Sequence, residues 1–220
     1  MFDSAILKML WAGILESLYM TVIATIFSYI VGLPMGILLI TSNKGGISPR
    51  PILFKILDTI TNIARSIPFL ILMIAVGPMT KLIVGTRLGS TATIVPLVVA
   101  AAPFVARLVE SSLLEIDAGV IEAAYSMGCS KRQIIFKVML PEAIPSLLNG
   151  AVITITTILS YSASAGVLGG GGLGSIAINY GYNRYQTGIM FITIVLLVLL
   201  VQIFQGVGMR VVGLSDKRKS

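Results

Sequence analysis

The sequence contains no histidine and only one cysteine, Cys129, among its 220 residues. A single thiol excludes an intramolecular disulfide, and one cysteine without histidine leaves a zinc or haem site short of ligands. We therefore expect no metal and no cofactor. Acidic residues number nine, and most lie in predicted loops or at predicted membrane edges, where they form no obvious intramembrane pair. Because paired acids, a nucleophile with its base, and a metal are all missing, we expect no catalytic residue.

Charge is scarce as well, and this places the chain in a membrane. Charged residues make up 11% of the sequence and hydrophobic residues 56%, with a mean hydropathy of +0.97. Soluble domains carry about 25% charged residues. We predict an all-α integral membrane protein that forms a single domain over residues 1–220. Five bilayer-spanning helices would use nearly all of this length, so we expect no ATPase or binding domain within it.

Uncharged stretches and the turns between them give the predicted spans. They lie at about 14–41, 57–80, 88–109, 144–168 and 186–209, and a loop at about 115–141 separates the third from the fourth. The net charge of +7 follows this topology and does not indicate nucleic acid. With the N-terminus outside and the C-terminus cytoplasmic, the 16 Lys and Arg residues lie inside except for Lys8, Lys81, Arg87 and Arg184.

The predicted inner loop carries the most structured polar pattern in the chain. Asp117 suits the cap of a short helix, and Gly128 can take the left-handed backbone that ends one. Ser130 followed by Gln133 is a capping-box pattern that opens a second helix. We expect this second helix to stop at Leu140-Pro141, because proline disfavours helical geometry in the residue before it.

This loop resembles the EAA loop in permease subunits of bacterial ATP-binding-cassette (ABC) importers, whose fold is called type I. The resemblance extends from about Glu16 to Met209, and Val138 is the one departure within the motif, where the family more often has Ile. Segments 65–69, 101–107 and 169–174 resemble the methionine-importer branch. The residues that carry the loop motif, and to which the family assigns coupling to the ATPase, are Glu122, Ala123, Ala124, Tyr125, Met127, Gly128, Leu140 and Pro141.

The resemblance implies partners and a mechanism. It implies a homodimer in the bacterial cytoplasmic membrane, two ATPase subunits on separate chains, and an extracellular or periplasmic methionine-binding lipoprotein. The loop would be a coupling helix that docks in a cleft of the ATPase. The residues alone leave an alternative, an amphipathic helix on the membrane surface that uses Lys131, Arg132 and Lys137. Against that alternative, the first helix is rich in small residues and offers a bilayer little apolar area.

Two further features point to a pathway for a small solute. Thr156, Ser160 and Ser164 lie four residues apart on one stripe of the fourth helix, with Tyr161 beside them. The stripe either lines a wet pathway or bonds neighbouring helices together. The glycine run from Gly169 to Gly174 either shapes the mouth of that pathway or is a flexible connector.

The residues by themselves select neither the substrate nor the class of protein. Few intramembrane charges suit a neutral or zwitterionic solute, and only the family resemblance selects methionine, in its D- or L-form. A permease for another small amino acid or similar solute remains the alternative. From a different class, a membrane scaffold that holds a soluble partner and transports nothing would also need an exposed inner loop.

Overall fold

The computed structural model describes residues 4–215, and that part of the chain is helical without a β-strand. Two π-helical turns, Ile134–Met139 and Ala177–Tyr182, and one 3₁₀ turn, Gly166–Leu168, extend the α-helices. The α-helices are α1 (Ser4–Ser42), α2 (Pro51–Ser66), α3 (Phe69–Val84), α4 (Ser90–Leu114), α5 (Ala118–Ser126), α6 (Lys131–Gln133), α7 (Leu140–Glu142), α8 (Ile144–Ala165), α9 (Gly172–Ile176) and α10 (Thr187–Ser215).

Membrane-spanning helices dominate the fold, as the composition predicts. Within residues 4–215 four stretches are long and apolar enough to cross a bilayer, and a fifth exists if α2 and α3 count as one broken span. The four are Ser4–Ser42, Ser90–Leu114, Ile144–Tyr182 and Thr187–Ser215. The predicted all-α membrane architecture is therefore confirmed. The inside-outside orientation stays a prediction, and the basic tail at 217–219 that contributed to it lies outside the described residues.

Helix one begins ten residues earlier than the predicted start at about 14. At 1.5 Å per residue, the 39 residues of α1 extend about 58 Å, well beyond a bilayer core of about 30 Å. The added turns are ordered by packing, because Leu10 is buried against Leu173, Ile176 and Ile189. Charge content alone gives no sign of this contact.

The predicted continuous second span over 57–80 is wrong, because the chain breaks between α2 and α3 and bends by 112°. Ile67, which precedes Pro68, has an extended backbone at φ −86° and ψ 124°. That geometry is what a following proline favours. Asp58 on α2 pairs with Arg107 on α4.

The predicted helix stop at Leu140-Pro141 is also wrong. Helical backbone continues from Lys131 through the π-helical turn and α7 to Glu142, and α8 begins at Ile144. In the π-helical turn the Leu140 N–H donates to the Ile135 carbonyl, five residues back. A wide turn of this kind changes the spacing of the preceding carbonyls, and it gives the helix a way to accommodate the ring of Pro141.

Glycines at helix contacts define two tightly packed pairs. A Cβ at Gly32 would lie 2.7 Å from the Ala102 carbonyl oxygen, and one at Gly36 would lie 2.6 Å from that of Ala106, so α1 and α4 touch along the GxxxG face that these two glycines form. At the end of α8, a Cβ on Gly166 of the 3₁₀ turn would collide with the backbone of α9, and a Cβ on Gly174 of α9 would collide with the Ala163 backbone of α8. We call these pairs α1/α4 and α8/α9.

Candidate functional site

Helix α5 and the hinge after it form as the sequence predicts, because each of their ends is fixed locally. The Asp117 carboxylate accepts a hydrogen bond from the Gly119 N–H at 2.6 Å and caps the N-terminus. Gly128 has φ +79°, and its N–H donates to the Tyr125 carbonyl at 2.9 Å. A left-handed residue at this point turns the chain out of α5.

The capping box that opens the next helix is present with both of its hydrogen bonds. The Gln133 side-chain oxygen accepts from the Ser130 N–H at 2.8 Å, and the Ser130 hydroxyl accepts from the Gln133 N–H at 3.4 Å. The hinge of Gly128 and Cys129 is therefore bounded by a left-handed cap on one side and a capping box on the other. Such a hinge holds α5 at a defined angle to the following helix.

One small residue anchors α5 to the transmembrane bundle. Ala124 is buried in an apolar cluster with Leu113 and Ile116 from the end of α4 and with Ile134 and Met139 from the π-helical turn. Helix α5 therefore lies between α4 and α8 in the chain and packs on residues next to both.

The connection after α1 also holds α5 and the start of α6, and sequence reasoning missed both contacts. The Tyr125 hydroxyl donates to the Ile47 carbonyl at 3.3 Å, and the Lys131 ammonium donates to the Ser48 hydroxyl at 3.3 Å. A cleft of about 400 Å³ lies between this connection and α5. The only sequence signal for the contact is the position of residues 43–50 on the same predicted inner side.

The predicted coupling residues divide into an inward and an outward group. Ala124 is buried and Leu140 is half-buried against the same cluster. Glu122, Ala123, Tyr125, Gly128 and Pro141 are exposed, and Met127 is 76% exposed. The α5 residues among them form a surface of small and apolar groups around one carboxylate, which suits close docking against another protein.

An ion-pair network ties the broken second span to α4. The Arg107 guanidinium donates to Glu110 at 2.7 Å and to Asn62 at 2.8 Å, and it also pairs with Asp58. The Arg107–Glu110 pair follows from their spacing of three residues. The Asp58 and Asn62 contacts join residues 45 or more apart in sequence, and spacing gives no signal for them.

The polar stripe of α8 is exposed at Ser160 and Ser164 and partly covered at its other positions. Ser160 and Ser164 are exposed, Thr156 and Tyr161 are half-buried, and the Tyr161 ring stacks on Phe69 at a centroid distance of 4.8 Å. The Thr156, Ser160 and Ser164 hydroxyls donate to carbonyls of α8 itself, at 3.0 to 3.1 Å. Among residues 4–215, no hydrogen bond from these three hydroxyls reaches another helix, so the structure offers no support for their bonding helices together.

A second polar side chain joins this stripe from α10. A groove of about 390 Å³ between α8 and α10 is lined by Ser160, Ala163 and Gln202 together with apolar side chains. Gln202 lies near the middle of α10, an apolar helix in which an amide favours a polar partner or water. The sequence alone shows Gln202 only as one polar residue in an apolar helix.

The glycine run forms a tightly bonded turn at the end of the bundle opposite α5, and its hydrogen bonds favour an ordered turn over a flexible connector. Its carbonyls accept from α4: Gly169 from the Gly89 N–H at 2.9 Å, and Gly170 from the Thr93 hydroxyl at 3.1 Å. Its amides donate to α1: Gly172 to the Glu16 carboxylate at 2.7 Å, and Leu173 to the Ser17 hydroxyl at 2.9 Å. We call residues 169–173 with these four bonds the clasp.

Spanning helices that flank a short, exposed and anchored helix define a class, the membrane permeases of ABC importers with the type I fold. A family model described as "binding-protein-dependent transport system inner membrane component" matches residues 28–212. The chain belongs to this family, which confirms the resemblance drawn from the loop.

Individual relatives and solved structures show which members of the family the chain is similar to. The chain is 52% identical over 203 residues to a probable D-methionine transport system permease protein of Vibrio cholerae, which covers 92% of this chain and 90% of the relative. It is 48% identical over 161 residues to the D-methionine transport permease of Escherichia coli K12, covering 72% and 74%. An inward-facing structure of the MetNI methionine ABC transporter matches with a TM-score of 0.96 and 45% identity, covering 98% of this chain and 100% of that chain.

A more distant structure supports the fold alone. A crystal structure of an amino acid ABC transporter with histidines matches with a TM-score of 0.74 at 18% identity, covering 96% of this chain and 94% of that chain. The helical arrangement is thus shared beyond the methionine relatives.

Proposed function

We propose that the chain is the permease subunit of an ATP-driven importer that carries methionine, in its D- or L-form, across the bacterial cytoplasmic membrane. The similarity to the MetNI structure at 45% identity over nearly the whole chain carries this proposal. Permeases of this class do not hydrolyse ATP, so a separate ATPase subunit supplies the energy. A binding protein outside the membrane delivers the substrate.

Helix α5 is the element through which the ATPase moves this permease. Its anchored side holds Ala124 against α4 and the π-helical turn, and its exposed side presents Glu122, Ala123 and Met127 to a partner. An anchored helix transmits a displacement of its docked face as a rigid body. Resting on the membrane surface is the weaker alternative, because the exposed side offers little apolar area.

The α8 stripe lines the translocation pathway at the axis of a homodimer. Exposed Ser160 and Ser164 would face lipid in a single copy, and a second copy across the axis would enclose them with water and substrate. Their hydroxyls are partly satisfied by α8 carbonyls, so the surface is polar without holding a fixed charge. Such a lining suits a zwitterionic substrate, because it binds the substrate weakly enough to release it.

The described conformation corresponds to the inward-facing state. The structures that the chain matches with a TM-score of 0.96 are inward-facing conformations. ATP binding by the partner would bring the two α5 helices together and turn the pathway outward.

Uptake of radiolabelled methionine tests the proposal directly. Proteoliposomes should hold this chain, its ATPase and its binding protein, with ATP inside and unlabelled amino acids as competitors. We expect saturable, ATP-dependent uptake that only methionine and close analogues inhibit. Uptake of a different solute would keep the permease and remove methionine, and absence of ATP-coupled uptake for every solute would favour the non-transporting scaffold.

A further inference from the structure

A cavity of about 180 Å³ lies between α3 and α4 at the end of the bundle opposite α5. Three elements supply its apolar lining, which consists of Met73, Ile74, Leu88, Ala92, Pro96 and Leu168. The cavity borders the clasp, because a Cβ on Gly169 would be 3.1 Å from the Leu88 side chain. At about 30 Å³ per water molecule it holds about six waters, so its volume suits one molecule of amino-acid size.

One cation, Arg87, lines this otherwise apolar cavity. Its side chain lies against the buried Gly77 of α3, where a Cβ would be 3.6 Å from Arg87 Cδ and 4.0 Å from Nε. Within residues 4–215 the guanidinium makes no ion pair and no hydrogen bond. A cation beside apolar walls without a partner favours an anion, and the planar fork of a guanidinium matches a carboxylate.

The cavity adjoins the polar stripe of α8. Ser164, the last member of the stripe, precedes Leu168 of the cavity by four residues, which is the spacing that the stripe itself repeats. Tyr161 and Leu168 both pack on the apolar cluster that contains Phe69 and Met73 of α3. A solute that follows the stripe toward this end of the bundle therefore reaches the cavity within the same copy of the chain.

Three other clefts of the described chain lack this combination of a cation and apolar walls. The cleft beside α5 contains Glu122, and a cleft between α4, α8 and α10 contains Glu115 and Glu142. The groove between α8 and α10 has no charged side chain in its lining. The cavity at Arg87 is thus the one of these four that suits a carboxylate joined to an apolar chain.

We propose that this cavity binds the transported substrate, with the Arg87 guanidinium holding a carboxylate and with Met73 and Leu168 contacting an apolar side chain. Methionine carries both groups, and the flexible thioether of Met73 can adapt to an unbranched side chain. Because no acidic residue lines the cavity, the ammonium group of the substrate contributes little to binding. The inference rests on the proposed transport function and adds to it the site at which the substrate is held.

Protection of a cysteine from labelling tests the site. The background carries Cys129→Ser, and Ile74→Cys places a thiol in the wall of the cavity, at a side chain that is 60% exposed. The complex of this chain with its ATPase is held in nanodiscs of zwitterionic lipid, which leave both faces accessible. A small methanethiosulfonate is added without nucleotide, and mass spectrometry of the permease gives the labelling rate.

Three compounds are titrated, and each rate is expressed relative to the same variant without ligand. Methionine should slow labelling in a saturable way. So should 4-(methylthio)butanoate, which keeps the carboxylate and lacks the ammonium group. Methioninol, which lacks the carboxylate, should give no protection over the same concentration range, because the guanidinium then has no anion to bind.

Substitutions of Arg87 identify the group that holds the carboxylate. Arg87→Ala should raise the half-protecting methionine concentration about tenfold or more, as loss of a charge-assisted hydrogen bond implies. Arg87→Lys keeps the charge without the planar fork and should give a smaller rise. Lys81→Ala is the matched control, since it removes an exposed cation at the same end of the bundle that does not line the cavity, and it should match the parent.

The site would be overturned by absence of methionine protection in the parent, by equal protection from methioninol, or by an equal loss in Lys81→Ala. It would also be overturned by unchanged protection in Arg87→Ala, the result expected if the ligand of Arg87 were a lipid phosphate. Gel filtration and basal ATP hydrolysis establish that each variant complex is assembled. Protection needs no transport, so protection without methionine uptake would count against the proposed function alone, and uptake without protection would count against this site alone.

Discussion

Replacing Gly128 tests whether the hinge after α5 sets the docking geometry. The residue has φ +79°, and a Cβ built on it meets no atom within 4 Å, so a small side chain adds backbone strain and no clash. The left-handed conformation costs an L-residue with a Cβ about 1 to 2 kcal/mol. If the chain relieves that strain by leaving this conformation, the docking orientation of α5 becomes about 5- to 30-fold less populated relative to its alternatives.

Apparent affinity falls in proportion to the populated competent fraction. We therefore expect Gly128→Ala to weaken binding of the ATPase subunit by up to about 30-fold, measured by titrating that subunit onto the permease in nanodiscs. Gly128→Asn is the matched variant, because asparagine tolerates the left-handed region, and it should lose much less. Gly188→Ala, at an exposed glycine in open space without positive φ, should bind normally. Equal losses in Gly128→Ala and Gly128→Asn would refute the conformational explanation.

Three other substitutions probe docking, the ion-pair network and helix packing. Glu122→Lys reverses the charge on the exposed side of α5, so methionine-stimulated ATP hydrolysis should be abolished with membrane insertion intact; normal coupled transport would contradict this. Arg107→Met leaves Glu110 and Asp58 without their cation. Because these side chains are 11% and 34% exposed, the free energy of unfolding should fall by about 1 to 3 kcal/mol, less than the about 3 to 5 kcal/mol of a fully buried pair. It should appear as faster thermal inactivation, and Arg107→Lys should retain part of the stability. Gly174→Val places a side chain against the Ala163 backbone, so the folded yield in detergent should collapse, whereas Gly213→Val, in open space, should express normally.

Local features of the site could be predicted because their causes lie within a few residues. The Asp117 cap, the left-handed Gly128 and the Ser130–Gln133 capping box each depend on one side chain or one backbone conformation next to the helix end. The same reasoning failed at Pro141, where the preceding turn widened to a π-helix and let the helix continue. At Pro68 the error was the opposite one. The proline marks a true helix break, and the uninterrupted hydropathy around it led to the prediction of a single helix.

Contacts between distant segments could not be predicted, because nothing in local spacing encodes them. Tyr125 reaches a carbonyl 78 residues away, Arg107 reaches a carboxylate 49 residues away, and Glu16 reaches an amide 156 residues away. Glu16 was visible in the sequence only as a carboxylate at a membrane edge. The glycine run was visible only as permissive backbone, whose alternatives became distinguishable once its hydrogen-bond partners were known.

Helix α4 connects the two ends of the helical bundle. Its C-terminal turn packs Leu113 against Ala124 of α5, and its N-terminal end contributes Gly89 and Thr93 to the clasp. The 25 residues of α4 extend about 37 Å, so one element reaches from the surface proposed to meet the ATPase to the clasp. Helix α8 provides a second physical connection between α5 and the clasp. Because α4 and α8 also share a core around Ala101 and Ile158, and the Ser146 hydroxyl bonds to that of Ser112, we expect a movement of α5 to displace the two helices together.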